Sequence, residues 1–198
     1  MKELIIATKN QGKAKEFQDM LDKYGIYARS LLELEDEIPD IDETGTTFEE
    51  NAVLKAETIS KKFDIPVLAD DSGLEVDALH GRPGIYSARY AGPERSDQAN
   101  LQKVLDEMSG VPEENRKARF VCSVAIARPG EQTFVRRGTC EGSIGTEPVG
   151  EHGFGYDPIF FPKGSKRSMA QLGSSEKNAI SHRKNAIDQI EGWLKEQR

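Results

Sequence analysis

The stretch Ile65-Pro66-Val67-Leu68-Ala69 followed by Asp70-Asp71-Ser72-Gly73 constrains the fold of this chain more than any other. A short apolar run reads as a buried strand, and one that stops abruptly at two carboxylates delivers those acids to a defined place. In an α/β protein the end of such a strand is where ligands bind. Successive side chains on a strand point to opposite faces, so one of Asp70 and Asp71 is expected to face a pocket. Read alone, the same residues also fit an acidic turn before Gly73, because Asp, Ser and Gly are turn formers.

The flanking segments favour the strand. Leu4-Ile5-Ile6-Ala7-Thr8 predicts a first strand, and Gly12 to Lys23 a helix, with Ala14, Phe17, Met20 and Leu21 at helical spacing. Leu31 to Glu43 is acidic, carries Pro39 and reads as a loop. Thr47 then caps a second helix running to about Lys62, with Glu50 three residues on as a capping box. A Gly/Pro-rich loop follows Gly73. An amphipathic helix is expected from about Asp97 to Met108, with Leu101, Val104, Leu105 and Met108 on one face. Ala118 to Ala127 and Gln132 to Glu141 read as paired strands around the turn Arg128-Pro129-Gly130-Glu131. From about Ser175 the chain closes with one helix whose apolar positions are Ile180, Ala186, Ile187, Ile190, Trp193 and Leu194. Strand–helix units plus a hairpin imply one α/β domain over residues 1–198, with a mixed, twisted sheet. A smaller second lobe is expected, with the pocket in the cleft between the lobes.

Composition narrows the function classes. The 198 residues suffice for one core and leave two independent domains small. No apolar run approaches the roughly 20 residues of a membrane span, and no basic-plus-apolar leader follows Met1, so a soluble, cytoplasmic protein without membrane partners is expected. A net charge of −7 argues against general nucleic-acid binding, which needs a continuous basic surface, and leaves phosphate binding as a local matter. Cys122 and Cys140 lack metal-ligand spacing and are expected as free packing thiols.

Four constellations carry chemistry. Thr8-Lys9-Asn10-Gln11-Gly12-Lys13 lies between the first strand and the first helix, where unpaired N–H groups and the positive end of the helix dipole favour an anion. Lys9 and Lys13 add charge there, with Lys15 a further candidate. The spacing is not that of a Walker loop, and a plain polar turn would look similar. Asp42-Glu43-Thr44-Gly45 and Asp71 supply hard oxygen donors, and Lys55 faces the same region if the second helix packs beside the strand. Carboxylates that meet a triphosphate point to magnesium, which bridges protein carboxylate to phosphate oxygen. A solvated loop acid is the plainer reading of Glu43.

Gly153-Phe154-Gly155-Tyr156-Asp157-Pro158-Ile159-Phe160-Phe161-Pro162 combines flexible glycines with aromatics. Phe154 is the candidate for stacking on a flat base, an interaction of roughly 1–3 kcal/mol, while Phe160 and Phe161 are expected in the core. Lys177 and Ser181-His182-Arg183 offer donors that could read a 6-keto purine edge and reject a 6-amino one. A lone His-Arg pair is otherwise surface decoration, and His80 and His152 are expected to be structural.

These motifs in order closely resemble the inosine triphosphatase-like family, the non-canonical purine nucleoside triphosphate pyrophosphatases. The resemblance rests on Thr8 to Lys13, Glu43-Thr44-Gly45, Glu50-Asn51-Ala52 with Lys55-Ala56, Asp70 to Leu74, Pro83 to Tyr90, Gly153 to Phe160 and Ser181-His182-Arg183. It covers essentially the whole chain and departs at Lys9, where the family commonly has glycine. It implies hydrolysis of ITP, dITP and XTP to monophosphate and pyrophosphate, with Mg2+, by a homodimer whose elongated mixed sheet holds a nucleotide cleft. It further implies that Thr8, Lys9, Asn10, Gln11, Gly12 and Lys13 bind phosphate, with Lys55 nearby. Asp71 is implied as general base and metal contact, Ser72 as a substrate contact, and Phe154, Gly155, Tyr156, Asp157, Lys177, His182 and Arg183 as the base-recognition set. Among Asp40, Asp42 and Glu43, Glu43 is the best-placed second metal ligand.

Two competing readings differ in class. A Maf-like pyrophosphatase for other nucleotides is opposed by the Ser-His-Arg and Gly-Phe-Gly-Tyr-Asp segments. A nucleotide-binding sensor without turnover is opposed by the clustered acids, which repel a triphosphate unless a metal lies between them.

Overall fold

A computed structural model describes residues 4–34, 38 and 41–196. The chain forms β1 (Leu4–Ile6), α1 (Gln11–Asp22), β2 (Ala28–Ser30), α2 (Phe48–Phe63), β3 (Val67–Val76), α3 (Asp97–Glu107), β4 (Lys117–Ala127), β5 (Phe134–Ile144) and β6 (Phe160–Pro162). It closes with α4 (Ser174–Ile180), α5 (His182–Asp188) and α6 (Glu191–Glu196), and short 3-10 turns link the larger elements. The six strands make one sheet in the order β2-β1-β3-β4-β5-β6. β1 is parallel to both β2 and β3, whereas β5 and β6 are antiparallel, so the sheet is mixed as expected.

The chain divides into two compact units: Met1–Asp71 with Cys122–Gly138 and Arg183–Arg198, and Ser72–Val121 with Thr139–His182. In the first unit the period-2 alternation of the strands sorts the core into two faces. Leu4, Ile6, Leu68, Cys122, Val124 and Ile126 pack with Phe17, Met20 and Leu21 of α1 and with Ala186 and Ile187 of α5. The alternate residues Ile5, Val67, Ala69, Ala125 and Ala127 pack with Ala52, Ala56 and Ile59 of α2. Each fully buried Phe, Leu or Met contributes about 1.5–3 kcal/mol, against about 1 kcal/mol for an N-cap such as Asn10. Packing therefore places α1, and its cap refines where the helix begins.

The second unit has its own core, in which Leu74, Val76, Leu101, Val104, Met108, Ala118, Phe120, Ile144, Ile159 and Phe160 cluster. Arg116 is buried there, and backbone oxygens rather than a carboxylate take its hydrogen bonds. Its guanidinium donates to the carbonyls of Met108, Val111, Ile144 and Gly145, tying the end of α3 to the end of β5. Phe160 lies against Phe120 with ring centroids 4.3 Å apart, as its core reading required, whereas Phe161 is only partly buried.

Several sequence expectations are refined. β3 does not stop at Asp70 but continues through Asp70, Asp71, Ser72 and Gly73 to Val76. The strand tolerates both acids because each has cationic or amide partners on its own face. Gly73 is required by a close approach: a Cβ there would lie 2.5 Å from both the Gly84 carbonyl oxygen and Ser87 Oγ. Ser87 Oγ uses that space to accept the Leu74 N–H at 2.9 Å while donating to the Gly84 carbonyl. β2 was not anticipated, since Ala-Arg-Ser shows no strand periodicity and owes its extension to parallel pairing with β1.

The expected single terminal helix is three short ones. Ser181 adopts extended φ −68°, ψ 156°, ending α4, and Ile180, placed on the apolar stripe from sequence, is 40% exposed. Thr47 caps α2 as predicted, its Oγ1 accepting the Glu50 N–H, and Glu50 reaches back to the N–H and hydroxyl of Thr46, one residue before the cap. The hairpin turn is present, with Gly130 at φ +74° and the Glu131 N–H donating to the Arg128 carbonyl, but β5 begins at Phe134 and runs on to Ile144. Both cysteines are free and buried. Among the described residues no helix is long and apolar enough to cross a membrane.

Candidate active site

In the first unit the polar turn after β1 leads straight into α1. The side chain of Asn10 caps the helix, its Oδ1 accepting the Lys13 N–H at 3.0 Å, and Thr8 Oγ1 accepts the Asn10 N–H at 3.1 Å. These bonds fix the shape of the turn, while Lys9, Asn10 and Gln11 stay exposed. Lys9 is not among the residues at positive φ, so lysine carries no backbone strain where the family commonly has glycine.

The two aspartates of β3 are neighbours with opposite surroundings. Asp70 lies on the α1 face, accepting Lys13 Nζ at 3.0 Å, with Arg183 Nε 4.0 Å away. Burial alone would raise its pKa, but Lys13, Arg183 and Lys55 outweigh that and hold it at about 2. Asp71 lies on the α2 face, where Asn51 Nδ2 donates to Oδ2 at 3.0 Å and Lys55 Nζ is 4.0 Å from Oδ1. Burial dominates here and the nearby Glu43 adds to it, so that despite Lys55, Lys13 and Asn51 the Asp71 carboxyl is pushed up to about 6. Adjacent carboxylates with pKa values pulled apart mark a site where one acid is electrostatic ballast and the other is poised for proton transfer.

Lys55 Nζ also meets Glu43 Oε1 at 2.7 Å, so Glu43 and Asp71 converge on one ammonium group. Of the three acids considered as the second metal ligand, Asp42 is exposed and Asp40 lies outside the described residues, as does Pro39. Among the described residues no group of three or more His, Cys, Asp or Glu side chains could hold a metal by itself. Two carboxylates that already gather around one cation fit magnesium, which takes one or two protein carboxylates and completes its shell with water and substrate phosphate. Glu43 and Asp71 are the residues that would hold it.

The base-recognition candidates fall in the second unit, except Arg183. Lys177 Nζ meets Asp157 Oδ2 at 2.6 Å and stands 4.5 Å from the centre of the Phe154 ring. Asp157 Oδ2 also accepts the Phe154 N–H, and a Cβ on Gly153, at φ +74°, would lie 2.1 Å from that oxygen. Phe154, Asp157 and Lys177 are thus locked together, and the Gly155 N–H is held by Asp97 at 2.8 Å. Tyr156 is a core residue whose hydroxyl donates to the Ser87 carbonyl. His182 is buried and stacks on Phe120, with centroids 4.9 Å apart. Arg183 belongs instead to the first unit, buried against Glu16 at 2.9 Å. Ser72 is half-buried, directly after Asp71 in β3.

Sequence reasoning missed Glu16 and gave Asn51 no role beyond its place in the Glu50-Asn51-Ala52 motif. Both left a signal: each is a polar residue on the buried face of its helix, Glu16 among Ala14, Phe17 and Met20, and Asn51 among Phe48, Ala52 and Ala56.

The whole chain, not one motif, finds relatives. The model of the Ham1 family matches residues 4–193. A protein of Oceanobacillus iheyensis named dITP/XTP pyrophosphatase is 61% identical over 194 residues, covering 98% of each chain. A Bacillus subtilis protein of the same name is 53% identical, again over 98% of each. Among solved structures, the Staphylococcus aureus Ham1 protein superposes with a TM-score of 0.87 at 45% identity, with both chains fully covered. The Mycobacterium abscessus nucleoside-triphosphatase, or dITP/XTP pyrophosphatase, gives 0.76 at 39%, covering 95% of this chain and 97% of its own. The resemblance drawn from the ordered motifs is borne out by matches that run nearly from end to end, and the chain belongs to the Ham1 family.

Proposed function

We propose that this protein is a nucleoside triphosphate pyrophosphatase that hydrolyses non-canonical purine nucleotides, dITP, ITP and XTP, to the monophosphate and pyrophosphate. The observation that carries the reading is the split pair on β3, with Asp70 held anionic at about 2 and Asp71 raised to about 6 beside Lys55 and Glu43. The relatives named dITP/XTP pyrophosphatase support the substrate class.

In this reading Asp71 accepts the proton of the attacking water, a task for which a carboxylate with a raised pKa is a stronger base than an ordinary one. Magnesium, when bound, neutralises charge on the phosphate chain and on the departing pyrophosphate. Thr8, Lys9, Asn10, Gln11, Gly12 and Lys13 hold phosphate oxygens through N–H groups, side chains and positive charge, and Lys55 adds a further cation. Ser72 is a substrate contact. Phe154 stacks on the base, and Gly155, Tyr156, Asp157, Lys177 and His182 form or support the pocket that reads its 6-keto edge, with Arg183 assigned to base recognition from its Ser-His-Arg motif. A 6-amino purine would set donor against donor, which is why adenine nucleotides are rejected. The protein works as a cytoplasmic homodimer without nucleic-acid partners.

Incubating the purified protein with ITP, dITP, XTP, GTP and ATP plus magnesium, and separating monophosphate from diphosphate, tests bond and base choice together. ITP left intact, or losing only its terminal phosphate, overturns the proposal. Asp71→Asn is expected to abolish nearly all turnover with the fold retained, and wild-type turnover in that variant removes Asp71 from its role.

A further inference from the structure

Asn51 lies on the buried face of α2 and is 1% exposed. A buried primary amide needs partners at both ends, and Asn51 has one from each side of the acidic site. Its Oδ1 accepts the Gly45 N–H at 2.8 Å, and its Nδ2 donates to Asp71 Oδ2 at 3.0 Å. The amide can sit only one way round, because the Gly45 N–H is purely a donor and would oppose Nδ2 if the group were flipped. Gly45 is two residues from Glu43, whose carboxylate shares Lys55 with Asp71. One side chain thus joins the loop carrying the first candidate ligand to the strand carrying the second.

The backbone at Gly45 is shaped around this link. A Cβ there would lie 2.6 Å from Asn51 Oδ1 and 2.7 Å from Glu50 Cβ, so a side chain at residue 45 pushes directly on the amide. On the other side, Asn51 occupies Asp71 Oδ2 and leaves Oδ1 as the oxygen turned toward Lys55. A carboxylate held by one oxygen has its plane fixed, and with it the direction in which the other oxygen offers its lone pairs.

We infer that Asn51 is a positioning residue for the hydrolytic reaction, setting the orientation of the Asp71 carboxylate and holding the Glu43 loop in register with it. This rests on the reading of Asp71 as the base. Misplacing a catalytic group by about 1 Å costs on the order of 100-fold in rate, and that is the loss expected in kcat.

The test uses the full chain with ITP and magnesium, assayed at about pH 9, well above the value of about 6 that Asp71 has in the wild-type site. Asn51→Ala removes both bonds without adding a charge, Asn51→Leu removes them at nearly constant volume, and Gly45→Ala disturbs the amide from the opposite side. All three are expected to lose about 100-fold in kcat while KM stays within about threefold, with the folded state checked by circular dichroism. Folded Asn51→Ala or Gly45→Ala with kcat within about threefold of wild type overturns the inference. So does failure of all three to fold, which would make Asn51 a structural staple only. Asp71→Asn runs alongside: wild-type turnover there sinks the catalytic reading itself, whereas its loss with an unaffected Asn51→Ala sinks this inference alone.

Discussion

Replacing Arg183 with methionine keeps an unbranched apolar stem and removes the guanidinium from the interior of the first unit. The Arg183 side chain is 4% exposed and its Nη1 lies 2.9 Å from Glu16 Oε2, on a side chain 11% exposed. A solvent-exposed pair of this kind would contribute about 0–1 kcal/mol. Breaking a buried pair costs about 3–5 kcal/mol, because the abandoned partner keeps its charge in a poorly solvating place. Asp70 also loses a neighbouring cation but retains Lys13 at 3.0 Å, which places the expected loss at the lower end, about 3–4 kcal/mol. At about 2–4 °C per kcal/mol for a chain of this size, the thermal midpoint should fall by about 6–16 °C. Adding Glu16→Gln removes the stranded charge, so the double variant should recover about half of the loss, and the coupling is that recovery, about 2 kcal/mol, plus the cost of Glu16→Gln on its own. Urea unfolding followed by circular dichroism at neutral pH measures all four members of the cycle. An Arg183→Met protein within about 1 kcal/mol of wild type, or a double variant whose loss is the plain sum of the singles, refutes the buried-charge reasoning.

The low pKa of Asp70 has a signed consequence for acid stability. Folding holds the carboxyl at about 2, below its ordinary 3.8, so its contribution is complete above about pH 4 and is lost as the pH falls toward 2. Asp70→Asn should flatten the rise of unfolding free energy between those values by up to about 1.4 kcal/mol per pH unit, and an unchanged slope in urea titrations contradicts the assignment. Gly73→Ala should cost about 1–3 kcal/mol, because the new methyl meets the Gly84 carbonyl and Ser87 Oγ rather than a yielding side-chain end. A wild-type urea midpoint in that variant would show that the Ser87 link can shift cheaply. His182→Ala should narrow the ratio of ITP to ATP turnover, and an unchanged ratio argues against base readout there.

Much of the fold was legible because apolar periodicity is a direct record of packing. Ala14, Phe17, Met20 and Leu21 announced α1, and the alternation around Arg128 to Glu131 announced β4 and β5. β2 was hidden because a three-residue edge strand owes its conformation to its neighbour rather than to its own residues. The break at Ser181 was hidden for a related reason, since the serine is compatible with a helix and nothing local forces its extended ψ. At the site, the residues that carry charge were visible as motifs, including Lys55, Glu43 and Asp71. Their division of labour was not. Whether Asp70 or Asp71 is locked by cations depends on which helix covers which face of β3, a fact of long-range packing. Glu16 and Asn51 could have been found by asking why a charged or amide side chain stands on an apolar stripe.

The parity of β3 carries a consequence for how this sequence can change. Its alignment with β1, Val67 beside Ile5 and Leu68 beside Ile6, is set just after the left-handed Asp64 that ends α2, where Ser60 Oγ donates to the Ile65 carbonyl at 2.8 Å. A one-residue deletion or insertion at Ile65-Pro66 that is passed on to this alignment would turn each later β3 side chain to the other face. The protein would keep the same acids in the same order, yet Asp70 would point to α2 and Asp71 to α1. The alignment of β3 is therefore under a chemical constraint, because it decides which of two identical acids meets Lys13 and which meets Asn51 and Lys55.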